Sequence, residues 1–238
     1  MNMEYICIYN KDVLIPSVLW GVKQEKLLIA VHGDQSHKED TLIQIVAQNA
    51  IKKGYQVLSF DLPEHGERMN KGYECNPPHC IGDLEAIYDY AISYTSQIYL
   101  FACSIGAYFS LRAYYKLDIK NFLFLSPVVD MERILQNMMS GFGISEEELL
   151  TEKRISLPIG KTLDWDYYTY VKQHPVNFDR TLPVSILMGS EDVVSEKEYV
   201  EAFSKRYHAK LAVLDKGEHY FHTKEQLEYF ERWLDNNL

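Results

Sequence analysis

The chain has 238 residues, 47% of them apolar, and carries a formal charge of −10 from 34 acidic against 24 basic side chains. That length and apolar content suffice for one large buried core. The acidity, with no run of Lys or Arg to offset it locally, works against binding a phosphate backbone or an anionic bilayer, so neither nucleic acid nor membrane is expected as a partner.

In chain order, "EYICIY" and "VLIPSVLWGV" have no helical pattern between them and predict an antiparallel pair at a sheet edge. Short β-branched and aromatic runs follow at 27–31, 55–60, 98–102, 121–125, 184–188 and 210–214. Apolar on both faces, they read as buried parallel strands. Amphipathic stretches near 38–53, 81–96, 105–117, 195–207 and 223–237 read as helices. This alternation predicts a doubly wound, mostly parallel α/β sheet. One stretch, 131–180, is too long for a single crossover. Its helical "MERILQNMM" and "SEEELLTEK" and aromatic "DWDYYTYVKQHPVNF" predict a small helical cap, dividing the core into 1–130 and 181–238.

The N-terminal "MNMEYICIYNKDVLIP" lacks the basic start and apolar run of a signal peptide, and a cytoplasmic protein is expected. Four cysteines in a chain of this length do not make a disulfide framework. Cys75 and Cys80 bracket "NPPH", but with His79 they fall short of the four ligands of structural zinc. No metal and no other cofactor is expected.

"YLFACSIGAYFSLRAYY" turns from bulky to small around Ser104, where a strand gives way to a helix. The carboxyl ends of parallel strands are where such sheets bind ligands. Ala102 and Gly106 leave room for a tight turn there, and the following helix offers an N–H and a favourable dipole to developing negative charge. A helix-capping serine is the plainer reading of the same position.

The pentapeptide A-C-S-I-G resembles the G-x-S-x-G nucleophile elbow of the α/β-hydrolase superfamily, with Ala102 for the first glycine. Further segments, in the chain order that superfamily requires, extend the resemblance from about Leu27 to His219. The turn "GSEDVVS" resembles its acid turn and implies Asp192 as the acid, with Glu191 the nearest rival. "DKGEHYF" resembles its histidine loop and implies His219 as the base; His208 precedes a strand and His222 starts a helix. "AVHGD" resembles its oxyanion motif, which implies that the N–H groups of Asp34 and Ile105 bind the oxyanion. "DLPEHGER" resembles a structural turn of the family in which His65 and Arg68 brace loops, and His32 is expected to organise a loop.

The resemblance implies a serine hydrolase acting on a small-molecule carboxylic ester, of short to medium or aromatic acyl group, through a Ser–His–Asp triad and an acyl-enzyme. Met138, Met139, Phe142, Trp165 and Tyr168 in the insertion either roof the acyl pocket or form the insertion's own core. A peptidase or amidase of the same fold, or a binding protein that keeps the triad, is the alternative. Cys103 beside Ser104 should point the opposite way, into the interior. Oligomeric state is not legible.

Overall fold

A computed structural model describes residues 2–238. Strands β1 (Met3–Asn10) and β2 (Val13–Trp20) form the expected antiparallel pair. Alternating units follow: β3 (Lys26–Val31), α1 (Thr41–Lys52), β4 (Tyr55–Phe60), α2 (Pro77–Tyr94), β5 (Gln97–Cys103), α3 (Ile105–Tyr114) and β6 (Ile119–Leu125). The insertion holds α4 (Met131–Gly141), α5 (Glu146–Glu152), β7 (Arg154–Ser156), β8 (Thr162–Asp164) and α6 (Trp165–Gln173). The chain closes with β9 (Val184–Gly189), α7 (Lys197–Tyr207), β10 (Lys210–Leu214) and α8 (Lys224–Asn237).

Local chemistry sets the helix starts. The Asp40 side chain accepts the Ile43 N–H, so α1 begins after it rather than at 38. Asn76 caps α2 through the His79 N–H, and two prolines occupy the first turn, where a missing N–H costs nothing. That moves the start of α2 ahead of the expected 81. At the other end of the chain Thr223 and Gln226 form a reciprocal capping box on α8.

Eight strands make one sheet in the order β1-β2-β4-β3-β5-β6-β9-β10. Contacts among β3, β4, β5, β6, β9 and β10 are parallel, whereas β2 meets β4 antiparallel. Side chains alternate across it. Leu27, Ile29, Leu100, Phe122 and Ile186 join α2, α3 and α7 on one face. Leu28, Phe101, Leu123 and Leu187 join α1 and α8 on the other, where Phe101 and Phe230 pack with ring centroids 5.7 Å apart. From β3 the chain passes through α1 to β4, then returns through α2 on the opposite face to β5. The carboxyl ends of β3 and β5 therefore flank a crevice of the kind in which open α/β sheets bind ligands.

The insertion is not purely helical. β7 and β8 pair antiparallel as a hairpin, which three-residue strands were too short to announce. Met139, Leu149, Leu157, Leu163 and Tyr168 form an apolar cluster separate from both faces of the main sheet. Among the described residues no helix is long and apolar enough to cross a membrane.

Candidate active site

Ser104 follows β5 directly, with φ 50° and ψ −121°, a backbone region costly for any residue but glycine. It stands at the N-cap of α3, yet its side chain caps nothing. The hydroxyl instead donates to His219 Nε2 over 2.8 Å, so the capping reading fails. Gly106 is required by space: a Cβ there would lie 2.4 Å from the His32 carbonyl oxygen. Ala102 is fully buried and fits where the superfamily pattern has glycine.

Asp192 and His219 arrive from the ends of β9 and β10. His219 Nδ1 lies 2.9 and 2.8 Å from the two Asp192 carboxylate oxygens, leaving Nε2 to accept from Ser104. Asp192 is itself fixed, accepting the N–H groups of Val194 at 2.9 Å and Ser195 at 2.7 Å. The two loops touch through glycines: a Cβ on Gly189 would sit 2.1 Å from the Gly217 carbonyl oxygen. Glu191, the rival acid, points to solvent and contributes only its N–H, donated to Gly217.

Beyond β3, His32 is buried and neutral. Its Nδ1–H donates to the Gly33 carbonyl at 2.7 Å and its Nε2 accepts the Leu62 N–H at 3.0 Å; burial holds its pKa down to about 3. This imidazole ties the loop after β3 to the loop after β4. Gly33 lies against Ser104, with an ideal Cβ only 3.2 Å from the serine Cβ. Asp34 is next in the chain, and its N–H and that of Ile105, the first residue of α3, have no hydrogen-bond acceptor among the described residues. One free donor thus follows Ser104 directly in the chain, and the other follows Gly33, which packs against it.

The Asp34 carboxylate meets His65 Nε2 at 3.6 Å and pairs with Lys161 at the tip of the β7–β8 hairpin. Burial opposes the charge of both Asp34 and His65. Hydrogen bonding to His65 and Lys161 nevertheless draws Asp34 down to about 2, and bonding to Asp34 and Cys75 raises His65 to about 10. Behind them, buried Asp61 accepts Lys38 Nζ at 2.9 Å together with the N–H groups of Lys38 and Glu67. Arg68 Nη1 donates to the Asp61 carbonyl and lies 2.7 Å from Asp83. His65 and Arg68 thus sit in loop-bracing contacts. Lys38 escaped the sequence reading, because a lone lysine before a helix carries no sign of its burial.

The candidate pocket residues are distributed differently. Met139 and Tyr168 are buried in the insertion's own cluster, Met138 and Trp165 pack against it, and Phe142 is exposed. Side chains this large are needed to give so short a segment any core. Tyr167 instead packs on the main core with Ile134 and Leu135. Cys103 is buried on the α1/α8 face, and burial pushes its thiol far up. His79 stacks on Tyr73 and its Nδ1–H donates to the Glu74 carbonyl. Among the described residues no cluster of three or more His, Cys, Asp or Glu is arranged to hold a metal.

No protein-family model matches the chain, and neither does any curated protein sequence. Solved structures do. Est1E from Butyrivibrio proteoclasticus, determined with ferulic acid bound, superimposes with a TM-score of 0.81 over 97% of this chain and 96% of its own, at 22% identity. Mouse α/β hydrolase domain-containing protein 10 gives 0.78 over 99% and 98% at 16% identity. The Pyrococcus furiosus esterase Pf2001 gives 0.71 over 99% and 92% at 20% identity. At such identities the likeness is one of fold.

Proposed function

We propose that this chain, whose fold is that of the α/β hydrolases, is a serine hydrolase that cleaves carboxylic esters through an acyl-enzyme. The observation that carries this reading is the hydrogen-bonded series Ser104–His219–Asp192, set on a strained elbow with the hydroxyl free of any capping duty. Ser104 Oγ attacks the ester carbonyl as its proton passes to His219 Nε2; Asp192 holds the ring and stabilises the imidazolium. The N–H groups of Ile105 and Asp34 receive the oxyanion, and losing one such donor typically costs about 2.7–4 kcal/mol. His219 then protonates the departing alcohol and activates the water that releases the acid.

An ester with an apolar or aromatic acyl group is the substrate we favour. Tyr167 and Ile134 of the insertion pack on the body beneath it, and exposed Val193 and Tyr220 flank Asp192 and His219 in sequence. The aromatic acid bound by Est1E is consistent with that preference.

The test is hydrolysis of p-nitrophenyl esters from acetate to decanoate, and of methyl hydroxycinnamates, by the wild type and Ser104→Ala, alongside labelling by a fluorophosphonate. Turnover and labelling by wild type alone are expected. Equal, residual turnover in both proteins with no labelling would overturn the reading and leave a binding protein.

A further inference from the structure

The proposed reaction uses neither Cys75 nor Cys80, yet their Sγ atoms lie 3.6 Å apart. Cys80 is fully buried on the first turn of α2, and Cys75 is partly exposed just before the Asn76 cap. A helix N-terminus favours a thiolate there. The hydrogen bond from Cys80 draws the Cys75 thiol down, against burial and with help from His65, to about 6; burial pushes Cys80 well up. The pair is therefore divided into a thiolate-prone sulfur on a half-buried residue and a fully sheltered, neutral one. Attack and resolution in thiol oxidation require that division of labour. The chain's other two thiols lack it: Cys7 is exposed on β1, while Cys103 is buried in the core.

We propose that Cys75 and Cys80 are a two-electron oxidation site for hydroperoxides, closing to an intrachain disulfide. The Cys75 thiolate attacks one peroxide oxygen, the O–O bond breaks, and water or an alcohol leaves once protonated. The resulting Cys75 sulfenic acid is attacked by the Cys80 sulfur. An S–S bond forms, the S–O bond breaks, and the departing hydroxide takes the Cys80 proton as water. Two electrons pass from the thiols to the peroxide. The sulfurs must close from 3.6 Å to about 2.05 Å, a movement open to Cys75 in the segment ahead of the helix. Oxidation also removes the thiol that faces His65, the partner of Asp34 on the loop after β3.

The full-length reduced protein is treated with hydrogen peroxide, then denatured for thiol counting and digested for mass spectrometry. Loss of two of the four thiols, with a link joining Cys75 to Cys80, is expected. In Cys80→Ser, dimedone should trap a sulfenic acid at Cys75 roughly tenfold faster than at Cys7, whereas Cys75→Ser should give no adduct at Cys80. Four thiols remaining at a peroxide dose that oxidises free glutathione, a link through Cys7 or Cys103, or equal trapping at Cys7 and Cys75 would each overturn the proposal. The wild-type measurement requires no variant to fold, and none of these readouts depends on esterase activity.

Discussion

The strand-end loops that carry Ser104, Asp192 and His219 and the insertion beside them are held in place by different forces. In the strand-end loops Asp192, His32 and Asp61 are buried and each makes two or more hydrogen bonds. The insertion has a small cluster of its own and reaches the body through a few apolar side chains, Met131, Val171 and Tyr167 among them, and through polar pairs at the surface: Lys161 with Asp34, Arg154 with Glu74, and Arg133 with Glu196. Exposed pairs of this kind are worth about 0–1 kcal/mol each. Between α4 and the loop after Asp192 lies a cavity of about 10 Å³, lined in part by Val128, Ile134 and Tyr199. The groups that perform the proposed chemistry are thus held by several buried hydrogen bonds each, while the insertion is held by a few apolar contacts and exposed pairs. Positioning to fractions of an ångström matters for the former and adaptability for the latter.

The sharpest break of this contrast is at the reacting atoms. Ser104→Ala should lower ester turnover by on the order of 10⁴-fold or more, and Asp192→Asn by about 10³–10⁴-fold, with little change in melting temperature; steady-state kinetics beside calorimetry would show it. Next, Asp61→Ala removes the only fully buried carboxylate paired with Lys38, leaving it the more exposed Glu67 and Glu39, and strips the Lys38 and Glu67 N–H groups of their acceptor; it should cost about 3–5 kcal/mol in urea unfolding. Gly189→Ala forces the acid and histidine loops apart, because its Cβ would meet the Gly217 oxygen. A loss of about 1–3 kcal/mol is expected, with a fall in kcat exceeding any change in KM.

Smaller effects probe the other region. Lys161→Ala should change unfolding free energy by no more than about 1 kcal/mol, and alter KM more than kcat. A destabilisation as large as that of Gly189→Ala would mean that the insertion is anchored as firmly as the triad. The last effect is a pH dependence. His65 is raised to about 10 in the folded protein from 6.5, so its pairing with Asp34 stabilises fully below pH 6.5 and is lost as pH rises to about 10. Asp34, drawn from 3.8 to about 2, keeps its contribution above pH 3.8 and loses it toward pH 2. The melting temperature of wild type relative to His65→Gln should therefore narrow between pH 6.5 and 10; a constant difference would contradict the assigned charge on His65.

Most of the sheet was legible because apolar strands buried on both faces leave continuous runs, as at 27–31 and 184–188. Ser104, Asp192 and His219 were legible because each stands in a short motif at a strand end, and the structure brings the three together. What escaped depends on partners distant in sequence. Lys38 meets Asp61 only once β4 lies beside β3, and the β7–β8 hairpin is too short to leave a periodic signal. The aromatic residues of the insertion were ambiguous by nature. Tyr167 and Tyr168 are adjacent, yet one packs on the body and the other inside the insertion, because neighbouring positions on a helix lie about 100° apart.

Ser104 occupies a backbone conformation that glycine adopts freely and serine does not. Its φ of 50° holds roughly 1–3 kcal/mol of strain that the surrounding sheet must sustain in every folded molecule, whether or not substrate is bound. By that account Ser104→Gly would be a more durable protein with no chemistry at all. Selection for thermal resistance alone would drift toward it, and only selection on turnover would keep the serine in place.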